Sequence, residues 1–93
     1  MSIVDKTIQQ LVRNRVHDLT DRAMNINSLG NHRATVTLTK SCIVLAVSHS
    51  SDINTINTYA AQLPRSDVSD RLALAELDIA LNQTRVYLTG GAQ

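Results

Sequence analysis

The hydrophobic period of this chain changes at Gly30, and that change limits the folds open to it. Before it, Val4, Ile8, Leu11, Val12, Val16, Leu19, Ala23 and Ile26 recur at spacings of three and four. At ~100° per residue they fall within one arc of about 140°, the stripe of an amphipathic helix. The spacing predicts a helix over 2–26, with Ser2 as N-cap, Asp5 in a first turn that favours carboxylates, and Gly30 as a left-handed stop. Beyond it, Arg33-Ala34-Thr35-Val36-Thr37-Leu38-Thr39 alternates strictly between apolar and polar. That is a strand buried on one side. Cys42-Ile43-Val44-Leu45-Ala46-Val47 is a continuous apolar run of strand length, expected to be covered on both faces. The two strands form an antiparallel hairpin about Lys40-Ser41, whose turn lacks the glycine that would set a register.

Ser48-His49-Ser50-Ser51-Asp52 is a polar break, after which Ile53, Ile56, Ala60 and Leu63 give a short helical stripe ended by Pro64. Asn and Thr at 54, 55, 57 and 58 are mediocre helix formers. Ser66-Asp67 restarts a helix that runs to about Gln83. Residues 85–89 read as a short terminal strand, and 90–93 as a disordered tail. The expected architecture is α+β: a long N-terminal amphipathic helix, an antiparallel β-hairpin, two C-terminal helices and a short terminal strand. One domain spans 1–89, with its helices on one side of the sheet.

The last helix is apolar on two sides. Val68, Leu72, Ala75 and Ile79 lie on one, and Leu74, Leu77 and Leu81 nearly opposite. A helix apolar on two sides must be covered on two sides. In 93 residues with 43% apolar content and only two aromatics, Tyr59 and Tyr87, the core is small and aliphatic, a composition that favours association. The second cover is then another subunit, with Leu74, Leu77 and Leu81 as interface residues. Arg15, Asp18 and Arg22 share one edge of the first helix. They read as an intrahelical ion-pair chain or as a charged rim beside a helix–helix or subunit contact.

Nine Lys and Arg against eight Asp and Glu leave a formal charge of +1, which argues against nucleic-acid binding by bulk electrostatics. The scarcity of aromatics argues against a platform for stacked bases. His17, His32 and His49 have no metal-ligand spacing, and no phosphate-binding glycine loop occurs. No metal or cofactor is expected. The Ser48–Asp52 segment holds the residue types of a hydrolytic triad without a nucleophile elbow, and reads as a loop with helix caps. Asp67, Asp70, Glu76 and Asp78 read as solvated charge. Cys42 reads as a buried, reduced thiol. No run approaches the ~18 apolar residues that span a bilayer, and the N-terminus lacks the form of a signal peptide. A cytoplasmic setting without membrane contact is expected.

These features favour a small, non-enzymatic binding or regulatory protein that works through protein–protein contacts as a homodimer. On size it fits an accessory protein of bacterial or phage type. The alternative is a nucleic-acid-binding regulator, with Arg13, Arg15, Arg22, Arg33 and Lys40 on phosphates.

Overall fold

The computed structural model describes residues 3–88, with side chains from Lys6 onward except that of Ile53. The element order is α1 (Ile3–Leu29), β1 (His32–Leu38), β2 (Cys42–His49), β3 (Asp52–Gln62), α2 (Asp70–Thr84) and a 3₁₀ turn, η1 (Arg85–Leu88). The strands form one antiparallel sheet in the order β1-β2-β3. Both helices pack on the same face, α1 over β1 and α2 over β3. They run parallel, because Arg15 meets Asp78 and Arg22 meets Thr84.

The amphipathic stripe of α1 delivers Ile8, Val12, Leu19, Ala23 and Ile26 to the interior. Alternation along β2 delivers Ile43, Leu45 and Val47, all essentially inaccessible. From α2 come Ala73, Leu77 and Ala80. Gly30 stops α1 at φ 85°, a left-handed conformation that glycine adopts without penalty. The α1–β1 turn is tied to the β2–β3 turn, since Ser50 donates from its backbone N–H to Asn31 (3.0 Å) and from its hydroxyl to Gly30 (2.8 Å).

The β1–β2 turn needs no glycine. The Thr39 hydroxyl accepts from the backbone N–H groups of Ser41 (3.3 Å) and Cys42 (3.1 Å) and so sets the register. Arg65 clamps this turn to the start of the α2 connection, donating to the Ser41 carbonyl and to Gln62 Oε1 while pairing with Asp67.

Three sequence expectations are corrected. Residues 53–63 are not a helix: Asp52–Gln62 is a strand, the longest of the three. The Ile/Ala/Leu spacing imitates a helix, but Asn and Thr disfavour one and β2 offers a full ladder of partners. There is therefore one long C-terminal helix rather than two. Residues 85–88 are not a strand but a 3₁₀ continuation of α2, with the Arg85 N–H bonded to the Asn82 carbonyl; the tail at 90–93 lies outside the described residues. Third, β2 is covered on one face only. Cys42, Val44, Ala46 and Ser48 point to the side without helices, and Cys42 is half-buried rather than enclosed.

One sheet edge is closed by a side chain. Asn27 of α1 accepts from the Ala34 N–H (2.8 Å) and donates to the Ala34 carbonyl (2.9 Å), standing in for a neighbouring strand. Asn27→Ala is expected to cost about 1–2 kcal/mol, and Leu45→Ala about 2–5 kcal/mol, both read as lowered urea midpoints at unchanged slope.

Candidate functional site

The structure leaves one flank of the molecule sparsely charged, where α2 overhangs the outer edge of β3. Ser69 caps α2, its hydroxyl accepting from the Leu72 N–H at 3.1 Å. From that start the helix presents three rows. Ala73, Leu77, Ala80 and Thr84 point inward. Leu74, Asp78 and Leu81 flank α1. The remaining row, Leu72, Glu76 and Ile79, lies on the side away from α1 by the ~100° helical step. Glu76 fixes its direction, because its Oε1 accepts from the backbone N–H of Gln62 in β3 at 2.8 Å. Leu72 is 46% exposed and Ile79 56%. The β3 edge beside them carries no charge between Asp52 and Arg65.

The sequence separates the two apolar sides of α2 but reverses their roles. Leu77, expected at an interface, is wholly buried in its own chain, and Leu74 and Leu81 pack against the same core. The uncovered side is that of Leu72 and Ile79. Arg15 and Arg22 lie beside the α1–α2 contact within the chain, and Arg15 also pairs with Asp18 along α1. Arg15 Nε donates to Asp78 at 2.7 Å while its Nη1 lies 3.7 Å from Asp18. Arg22 Nη1 donates to the Leu81 carbonyl (2.7 Å) and to the Thr84 hydroxyl (3.0 Å). Partial burial and the neighbouring Arg85 lower the pKa of Arg22, against the opposing pull of Asp18.

Of the residues expected to meet phosphates, Arg15 and Arg22 are therefore engaged between the helices. Arg33 lies on the open sheet face, beside Thr35, Ala46, Ser48 and Ile56. Arg13 and Lys40 alone share a surface. They join His17 on the rim of a groove of about 630 Å³ floored by Val12, Val16, Leu38 and Leu63.

A second feature has no counterpart in the sequence reading. His32, His49, Tyr59 and Tyr87 meet at one end of the sheet. His32 packs edge-on against His49 (centroids 5.0 Å) and Tyr87 (4.9 Å), and the Tyr59 and Tyr87 hydroxyls lie 2.6 Å apart. The residues are scattered along the chain, so no local motif announces them; only the scarcity of rings could have drawn notice. His32, His49 and Tyr87 border a cleft of about 340 Å³ with Asp52 and Asn57. His49 Nδ1 lies 2.7 Å from the Ser51 hydroxyl and accepts from the Ser51 N–H at 3.1 Å, but the Asp52 carboxylate serves Asn54 and Thr55 instead. Ser51, His49 and Asp52 thus make two local turns and not a relay, which requires the acid on the imidazole. Among the described residues no three His, Cys, Asp or Glu side chains converge as metal ligands.

Burial, then His49, lowers the His32 pKa. Burial, then the bond to Tyr87, pushes Tyr59 up to about 12. The fold thus favours a neutral imidazole and a protonated phenol, with opposite consequences along the pH axis. The His32 contribution is full above its ordinary value of 6.5 and is lost as pH falls below it. The Tyr59 contribution is full below pH 10.0 and is lost as pH rises toward 12. Melting temperature should fall on both sides, with His32→Gln flattening the acid limb and Tyr59→Phe the alkaline one.

Comparison with protein-family models, with curated proteins and with solved structures gives no match.

Proposed function

We propose that this chain is a small, non-enzymatic binding or regulatory protein that acts through protein–protein contacts as a homodimer. The observation that carries this is the flank of α2, where Leu72 and Ile79 stand about half exposed beside a strand with no charge after Asp52. Depletion of charge with apolar side chains at the centre is the compositional mark of an interface core. The rest of the molecule supports a division between working and contact surfaces. Of the charged side chains, only Arg33 and Asp52 lie in the strands. A free thiol at Cys42 suits a reducing compartment such as the cytoplasm, and no described helix is long and apolar enough to cross a membrane.

Sedimentation equilibrium at micromolar concentration should give twice the 10.2 kDa chain mass. Ile79→Asp should give a monomer with an unchanged circular dichroism spectrum, because the side chain is 56% exposed and lies outside the buried core. A folded 10.2 kDa species at every concentration would sink the reading.

A nucleic-acid-binding regulator is favoured by one observation: Arg13 and Lys40, on one groove rim, make no hydrogen bond or ion pair within the described residues. Should that reading hold, affinity for duplex DNA falls by at least tenfold between about 50 and 200 mM salt. It also weakens in Arg13→Glu/Lys40→Glu. Absence of binding at low salt excludes it.

A further inference from the structure

We propose that the second copy docks through β3, the two strands pairing antiparallel across a two-fold axis to make one six-stranded sheet. This rests on the homodimer reading and names its contact.

In an antiparallel ladder, residues alternate between those whose N–H and C=O face one neighbour and those that face the other. Ala34 turns its groups outward to Asn27, so its opposite number in β2, Val47, turns toward β3. Val47, Leu45 and Ile43 are therefore bonded to Asn57, Tyr59 and Ala61. The N–H and C=O groups of Ile56, Thr58 and Ala60 face away from the sheet. The outward N–H of Gln62 fits this alternation, since it is the one Glu76 takes. The open stretch is thus bounded by Glu76 at one end and by the irregular β2–β3 turn at the other.

An exposed edge is usually blunted by charge, proline or a short strand. This one has none of these: β3 is 11 residues long and carries neither charge nor proline after Asp52. The β1 edge is seven residues long, blocked at Ala34 by Asn27, carries Arg33 and is followed by Lys40.

Self-pairing centred on Thr58 sets Thr58 opposite Thr58 and Ile56 opposite Ala60 of the other copy, all as mutually bonded pairs. Ile56, 58% exposed, would then lie against the small Ala60. The same operation sets the two α2 helices antiparallel on one face of the joined sheet. Because Glu76 sits at Gln62 and Tyr87 at Tyr59, their C-terminal ends and η1 lie nearest the axis. One symmetry axis thus satisfies the open backbone of both copies, as an isologous interface requires, and lies nearer to Ile79 than to Leu72.

Two variants of the full chain test this. Thr58→Pro removes an N–H that the protomer's own ladder does not use, so the fold should survive. Dimer dissociation should strengthen at least tenfold in favour of monomer by sedimentation. Thr58→Cys in a Cys42→Ser background places two thiols across the axis, with Cα atoms ~5.5 Å apart. Dibromobimane should bridge them into a fluorescent covalent dimer, while Thr35→Cys in the same background should not react so. A wild-type dimer that survives Thr58→Pro, or that gives no Thr58→Cys bridge, overturns the inference and leaves the homodimer reading intact. Bridging at Thr35→Cys instead moves the contact to the β1 side and also overturns it. A wild-type monomer removes both.

Discussion

Everything in this fold leans on the inward row of the central strand. Ile43, Leu45 and Val47 alternate along β2 and are removed from water almost completely. They can be so only because two helices lie over one sheet face, Leu19, Ala23 and Ile26 arriving from α1 and Ala73, Leu77 and Ala80 from α2. Without Phe or Trp, the interior is filled by many small contacts rather than by a few large ones. Small residues on the helices, Ala23, Ala73 and Ala80, let the two layers approach closely enough to exclude solvent. The opposite face of β2 has no such cover, and its neighbours include Arg33, Thr35, Thr37, Ile56, Thr58 and Ala60. Hydroxyls and small side chains make a surface that tolerates water, and Arg33 is the charge it carries.

The two sheet edges show how sparingly a small chain protects its backbone. One amide, Asn27, serves both groups of Ala34, and one carboxylate, Glu76, serves the N–H of Gln62. Both come from helices, so each tie also fixes the position of a helix against the sheet. These are single contacts at strand positions separated from the rest of the edge, and the long middle of β3 has no equivalent.

The parts of the fold legible in the sequence are those where burial is one-sided and the contrast with water is sharp. The α1 stripe and the Thr/apolar alternation of β1 both meet that condition, and Gly30 marks the boundary between them with a backbone conformation that suits it. Strand β3 fails it. Its outward residues Ile56, Thr58 and Ala60 and its inward residues Asn57, Tyr59 and Ala61 differ little in polarity, so a period of two leaves almost no trace. Ile53, Ile56, Ala60 and Leu63 then imitate a helix. On α2 the periodicity is correct but symmetric: nothing local says which of two apolar sides meets the sheet, and the answer comes from the partners of Leu77. The ring cluster of His32, His49, Tyr59 and Tyr87 depends on three strands and η1 meeting at one end, a fact of topology rather than of spacing.

The contact between Arg22 and the end of α2 has a consequence for chain direction. Aligned peptide dipoles leave a helix with roughly half a negative charge at its C-terminus and half a positive charge at its N-terminus. Helix α2 has no basic residue in its own last turn. Beside the C-cap Arg85, α1 supplies a further cation, Arg22 donating to the Leu81 carbonyl 59 positions away. Were α2 threaded in the opposite sense over the same sheet, that guanidinium would confront a ring of N–H donors, repelled by the dipole and without an acceptor. The residue therefore discriminates between the two ways of laying the last helix down, and one arginine in the first helix helps to choose the topology of the last.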